Sequence, residues 1–311
     1  MSETFTTIDH ALPAIYANLR QNGAKSSPRG LDTVEIEDYH FILTDPTQGI
    51  TTSKDRALNY SLVALEFLSY AGGVGGTKGH AELNKQVAPN FAAFIDETTG
   101  IMNGAYGPRI GTQLQEVVSI LTTDPDSRQA QVIISRPDEM RRVISPDHKG
   151  ADKDFPCTNG FTFRIRDGKL NMSVAMRSND LYWGTPYDVA AFTLIQRLVA
   201  AVVGVPVGRY SHYAASMHYY STVVEKLNKI YGAGTHGTVT LTPLEFGYTS
   251  MSKAQQRFSM MIQDRIKTEQ WAGCSSKVRQ ENMKPFEQEY AAQPDLGLWH
   301  MLTKRGNLSK K

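Results

Sequence analysis

Two strand-like runs, 161–166 and 170–176, are joined by Asp167-Gly168-Lys169. Phe161, Phe163 and Ile165 alternate in the first run, and Leu170, Met172, Val174 and Met176 in the second. A period of two sends successive side chains to opposite faces of a strand. An Asp-Gly pair between such runs is a strong hairpin signal, because a tight hairpin turn needs residues that accept positive φ. An antiparallel strand pair is thus the most firmly specified element of the chain.

Helical signals surround it. Residues 8–22 carry Leu12, Ile15, Tyr16 and Leu19 at helical spacing. Ser26-Ser27-Pro28-Arg29-Gly30 reads as a turn, and Val34, Ile36, Tyr39, Phe41 and Leu43 suggest one or two strands. A helix is expected over 57–71, ended by Gly72-Gly73, and another over 112–122, stopped at Asp124-Pro125. Residues 131–135 suggest a buried strand, the polar stretch 144–154 an exposed loop, and 189–203 a long helix. A helix after Tyr220, a Thr-rich strand candidate at 238–242 and a mostly helical basic tail follow. Interleaving of this kind points to one mixed α/β domain over 1–311.

Charge narrows the functional classes. With 33 basic and 31 acidic residues the formal net charge is +2, without the basic excess of a DNA or anionic-membrane binder. A few local arginines still suffice to hold one phosphate. Two cysteines, Cys157 and Cys274, are too few for a disulfide framework, so a cytoplasmic setting is expected. No leader is read at the N-terminus, and the most apolar stretch, 192–207, contains Gln196, Arg197 and Pro206 and reads as a buried helix rather than a membrane span.

Cys157 lies in Phe155-Pro156-Cys157-Thr158, between a polar loop and a strand. Taken alone it is a small buried hydrophobe. Arg177 lies across the hairpin, where paired strands bring the two side chains together, and a guanidinium beside a thiol favours the thiolate.

The surrounding blocks carry a resemblance. Pro156-Cys157, Asp167-Gly168-Lys169-Leu170, Arg177-Ser178-Asn179-Asp180, Trp183-Gly184-Thr185-Pro186-Tyr187-Asp188-Val189-Ala190 and His218-Tyr219-Tyr220 are similar to the core of the thymidylate synthases. Upstream, Asp124-Pro125-Asp126-Ser127-Arg128, Tyr106-Gly107, Glu66-Phe67-Leu68 and Arg29-Gly30 resemble shorter pieces of the same family. The resemblance covers about residues 25–225; the part from 225 to 311 is unmatched.

It implies an α/β fold with a large twisted mixed sheet flanked by helices, and a homodimer. Cys157 would add to carbon six of a pyrimidine nucleoside monophosphate, making carbon five the nucleophile for the one-carbon unit of methylenetetrahydrofolate. Arg29, Arg177 and Ser178 would hold the phosphate, with Arg128 reaching in from the second subunit. His218 and Tyr220 would bond the sugar hydroxyl, Glu66 and Tyr106 serve proton transfer, and Asp180 hold the pterin. No metal is implied. Individually these residues have plainer readings: surface arginines, a capping Ser/Asp pair, core aromatics, a buried histidine, a solvated glutamate. Their joint spacing carries the argument.

The departures are informative. Where the synthases carry asparagine in Pro-Phe-Asn-Ile, this chain has Pro186-Tyr187-Asp188-Val189. An amide can both donate and accept, whereas a carboxylate only accepts, which fits the exocyclic amine of cytosine. Aspartate here resembles the deoxycytidylate hydroxymethylases of the family; the competing reading is an N-cap for the 189–203 helix. The phosphate-loop arginine pair is reduced to Arg128-Gln129, Thr158 replaces the histidine after the cysteine, Phe91 stands where the synthases place a tryptophan against folate, and the tail ends differently. The expected activity is hydroxymethylation of deoxycytidylate, with deoxycytidylate methylation, cytidylate hydroxymethylation and an inactive nucleotide- or RNA-binding relative as rivals.

Overall fold

The computed structural model describes residues 2–144, 154–232, 238–239, 244–268, 281–282, 284–285, 288–289 and 296–303. The chain divides into two compact units. The first comprises Met1–Leu58, Val117–Ser135 and Cys157–Leu241, the second Asn59–Glu116, Arg136–Pro156 and Thr242–Lys311.

The first unit is built on a mixed sheet. Its strands are β1 (Glu3–Phe5), β2 (Ala24–Ser26), β3 (Thr33–Leu43), β4 (Gln131–Ile133), β5 (Thr158–Arg166), β6 (Lys169–Met176), β7 (Asn179–Asp180) and β8 (Val207–Tyr220). The order is β1-β3-β8-β6-β5-β4, with β2 beside β3 and β7 beside β8. β5 and β6 form the expected hairpin, Arg166 opposite Lys169, and its turn residues take φ 52 at Asp167 and φ 67 at Gly168. Helices α1 (Ile8–Asn22) and α6 (Thr185–Val203) pack on this sheet, so the large mixed sheet flanked by helices is as expected.

β8 is the longest strand and was not anticipated by the sequence reading. It pairs antiparallel with β3 from Thr33↔Tyr220 to Leu43↔Tyr210, and parallel with β6 and β7. Tyr210, His212 and Ala214 are buried on one face while Ser211 and Tyr213 are less enclosed. That alternation is a strand's, but a buried histidine and tyrosine in place of aliphatic residues disguised it. β4 is shorter than the expected 131–135 strand and is not wholly buried: it is an edge strand with only one face covered, so Val132 is buried and Ile133 is 63% exposed.

α6 starts at Thr185, four residues before the expected 189, with Gly184 at its N-cap. It is apolar nearly all round and almost entirely buried, as a helix without a polar face must be. Its length and composition would suit a membrane span, yet 72% of its most apolar window lies inside the fold. Gln196, the polar side chain in its middle, donates to the carbonyls of Leu170 (2.9 Å) and Arg209 (3.1 Å).

The second unit is helical: α2 (Tyr60–Gly72), α3 (Lys78–Val87), α4 (Gly107–Thr123, whose last turns belong to the first unit), α5 (Glu139–Ile144), α8 (Met251–Thr268) and α9 (Leu296–Thr303). Asn59 caps α2 by accepting from the Leu62 N–H, and Gly73 ends it in the left-handed region at φ 69. Phe67 packs edge-on against Phe258 of α8 at 5.3 Å, and Ser61 donates to the Met301 carbonyl of α9 at 2.8 Å. Arg109 and Glu139 form a buried two-pronged ion pair. α3 and α5 were not anticipated. The expected loop at 144–154 and the strand candidate at 238–242 lie largely outside the described residues. Thr238 makes an isolated bridge to Ser53. α7 (Val224–Tyr231), in the first unit, is the expected helix after Tyr220.

Candidate active site

The β5–β6 hairpin sets the first two residues. Thr158 pairs with Met176, so the residues just outside that pair, Cys157 and Arg177, are neighbours. The Arg177 N–H donates to the Cys157 carbonyl at 2.9 Å, and Arg177 Nη2 lies 3.6 Å from Cys157 Sγ. The expected juxtaposition is present; the expected net effect on the thiol is not. Burial pushes the Cys157 thiol up, the carboxylates of Asp188 and Asp180 push the same way, and Arg177 and Arg29 only partly oppose them. Desolvation of the thiolate outweighs one flanking guanidinium.

Arg29 sits on a short turn, Pro28–Gly30, with φ 54. It is exposed, as is Arg177, and its charge acts on both Cys157 and Tyr220. Tyr220 ends β8, its hydroxyl held above the usual tyrosine range by burial and by Asp180, with Arg29 opposing. His218, two residues earlier, meets the Tyr220 ring edge-on at 5.3 Å. Ser178 continues from Arg177 into β7, which runs parallel to β8 and places Asp180 opposite His218. In the first unit the structure therefore gathers Cys157, Arg29, Arg177, Ser178, Asp180, Asp188, His218 and Tyr220.

Asp180 has a divided carboxylate. Oδ1 accepts from the N–H groups of Tyr182 (2.6 Å) and Trp183 (2.8 Å), shaping the turn into α6. Oδ2 is buried and accepts no hydrogen bond among the described residues. Burial raises the pKa of this carboxyl, against the pull of those N–H groups, His218 and Arg56. An unpaired buried acceptor costs about 1–3 kcal/mol, a deficit that a ligand N–H relieves.

Asp188 lies in the first turn of α6 but does not cap it. Its Oδ2 accepts from Asn179 Nδ2 at 2.7 Å. Burial, and then the neighbouring Asp180, push its carboxyl up to about 7, with the Asn179 donor opposing. Gly184 makes the arrangement possible. A Cβ there would stand 3.0 Å from Asn179 Nδ2 and 3.2 Å from Asp188 Oδ2.

Of the remaining expected residues, Arg128 belongs to the first unit and the others to the second. Arg128 is exposed on the turn between α4 and β4. Glu66 on α2, Tyr106 before α4 and Phe91 belong to the second unit. There Tyr106 packs on Tyr70 at 5.3 Å, and Phe91 meets Phe94 edge-on at 6.0 Å. Among the described residues no group of His, Cys, Asp or Glu is placed to hold a metal ion.

Several residues of the site escaped sequence reasoning. Arg56 is buried, donates to the Tyr182 carbonyl at 2.6 Å, and lies 4.8 Å and 5.5 Å from the Tyr182 and Tyr187 ring centres; it staples the turn that carries Asp180. Asn179 was in plain view inside Arg177-Ser178-Asn179-Asp180 yet had no assigned role. His212 and Tyr210 gave no signal without β8.

Comparison of the sequence with known proteins places it in a group. The thymidylate synthase family profile matches residues 15–246, and the chain belongs to that family. Among its relatives, the Deoxyuridylate hydroxymethyltransferase of Bacillus phage SP01 is 29% identical over 239 residues, covering 70% of this chain and 60% of that protein. The Deoxyuridylate hydroxymethyltransferase of Delftia phage PhiW-14 is 28% identical over 82% of this chain and 73% of its own length. A Thymidylate synthase of Symbiobacterium thermophilum is 34% identical over 94 residues, 29% of this chain.

Proposed function

We propose that this chain transfers a one-carbon unit from methylenetetrahydrofolate to carbon five of a cytosine nucleotide, deoxycytidylate first among them, giving the hydroxymethyl nucleotide and tetrahydrofolate. The observation that carries the base assignment is Asp188, whose Oδ2 is taken by Asn179, leaving Oδ1 to accept from the cytosine amine. Cys157 is the nucleophile toward carbon six. Because burial raises the free thiol, its deprotonation is favoured when Arg177 is drawn against it. Arg29, Arg177 and Ser178 bind the phosphate, with Arg128 contributed by the second subunit of a dimer. Tyr220 and His218 take the sugar hydroxyl.

Methylenetetrahydrofolate supplies the one-carbon electrophile when bound. The unpaired Oδ2 of Asp180 suits the N–H groups of its pterin. By the family resemblance, Glu66 and Tyr106 would carry the proton transfers at the ring and Phe91 would face the folate.

A uracil reading has a specific observation behind it as well. The two phage relatives bear names of deoxyuridylate enzymes, and a carboxyl near 7 is neutral in about half of the molecules at neutral pH, when it can donate to a carbonyl. One experiment separates the readings. The protein is incubated with each pyrimidine monophosphate and methylenetetrahydrofolate, and products are identified by mass. A hydroxymethyl cytosine nucleotide supports the proposal; a product from uracil nucleotides alone overturns the base assignment.

A further inference from the structure

Behind Asp188 and its partner Asn179 runs a buried chain of polar groups, of which Tyr210 and His212 are not used by the chemistry above. Tyr210 Oη lies 2.8 Å from His212 Nδ1, His212 Nε2 lies 3.1 Å from Asn179 Oδ1, and Asn179 Nδ2 lies 2.7 Å from Asp188 Oδ2. Thr185 Oγ1 donates to Asn179 Oδ1 at 2.7 Å. Tyr210 and His212 are fully buried, and the Phe41 ring stacks on the His212 ring at 4.9 Å, fixing its plane.

The polarity of this chain is determined from its far end. A buried tyrosine hydroxyl must place its hydrogen on an acceptor, and its partner among the described residues is His212 Nδ1. A neutral imidazole that accepts at Nδ1 donates at Nε2. That donor faces Asn179, so the carboxamide must present oxygen to His212 and nitrogen to Asp188. Burial holds His212 at about 3, so it stays neutral.

We propose that Tyr210, His212 and Asn179 form a hydrogen-bond relay that locks the Asn179 carboxamide with its N–H toward Asp188, so that Asp188 is held as an acceptor at the base. Tyr210 and His212 are positioning residues for base recognition. The inference deepens the cytosine assignment and, for its functional consequence, rests on it.

The groups facing the relay frame the test. Asp180 and Cys157 lie near Asp188, with Arg177 and Arg29 beside Cys157 and His218 beside Asp180. His40 of β3 acts on His212. None of these changes when only the Tyr210 hydroxyl is removed. Tyr210→Phe frees the imidazole to take either tautomer and the carboxamide to turn its oxygen toward Asp188. Loss of a charge-assisted bond then raises the proton affinity of Asp188 by roughly tenfold. His212→Gln keeps the lock, since a glutamine amide can accept from Tyr210 and donate to Asn179.

The test is carboxyl titration by NMR on protein labelled with 13C-carboxyl aspartate, Asp188 being assigned from Asp188→Asn. Tyr210→Phe is expected to titrate at higher pH than the unaltered protein, and His212→Gln close to it. The acid limb of kcat/KM for the cytosine nucleotide should move up by about one pH unit with Tyr210→Phe. An unmoved Asp188 titration overturns the relay. A moved titration with an unmoved cytosine-to-uracil ratio leaves the relay standing and removes the base assignment instead. If Tyr210→Phe does not fold, 15N-histidine spectra of the unaltered protein decide: His212 as the neutral Nε2–H tautomer supports the lock, and the Nδ1–H tautomer overturns it.

Discussion

Replacing Asp188 by Asn probes the site from two directions at once. In the folded chain the carboxyl titrates at about 7 against an ordinary 3.8. Between those values the folded state keeps a proton that the unfolded chain has released, so stability falls as pH rises through that window and levels off beyond it. A displacement of that size corresponds to about 4 kcal/mol when undiscounted, and to about 2 kcal/mol once partial solvent screening of the side chain is allowed for. Asparagine still accepts from Asn179 Nδ2 but does not titrate. The melting temperature of Asp188→Asn relative to the unaltered protein should therefore rise by about 2–3 °C between pH 4.5 and pH 8. In the same protein a carboxylate no longer opposes a uracil carbonyl. Relative kcat/KM should shift toward uracil nucleotides by roughly 10- to 100-fold. Thermal melts across pH and paired kinetics on deoxycytidylate and deoxyuridylate read both effects. A melting difference flat from pH 4.5 to 8 would show that the carboxyl does not titrate there. An unchanged base preference would show that Asp188 does not read the base.

Other outcomes follow from the same geometry. Cys157→Ala should abolish exchange of the hydrogen on carbon five while nucleotide still binds through Arg29 and Arg177; normal exchange in that variant would remove the covalent mechanism. Cys274 lies outside the described residues, and Cys274→Ser should keep full turnover. Gly184→Ala would drive a methyl group to within 3.0 Å of Asn179 Nδ2 and 3.2 Å of Asp188 Oδ2. It should cost about 1–3 kcal/mol in stability by overpacking and relax base preference in the direction of Asp188→Asn; unchanged kinetics would contradict the tight packing. Turnover should release tetrahydrofolate without the absorbance change of dihydrofolate. Dihydrofolate formed in step with a methylated nucleotide would show that hydride is transferred and would overturn the hydroxymethyl product.

The sequence by itself determined the elements whose signals are local. The Asp167-Gly168 turn needs residues tolerant of positive φ, and both adopt it. The apolar spacing of 8–22 and the Gly73 stop after α2 are equally local: α1 appears where expected, and α2 ends at the expected glycines although it begins at Tyr60, three residues after the expected start. The Cys157–Arg177 juxtaposition was legible because the two residues flank one hairpin, whose geometry alone brings them together. What sequence could not decide depends on partners distant in the chain. β8 is a strand because β3 and β6 flank it. Only that placement turns Tyr210 and His212 into the buried support of Asn179 and Asp188. The Cys157 thiol shows the same division. An arginine nearby was readable and predicted a lowered pKa, but the depth of burial, which overrides it, exists only once the chain is folded. Local chemistry is written in neighbouring residues; desolvation and long-range hydrogen bonding are properties of the assembled interior.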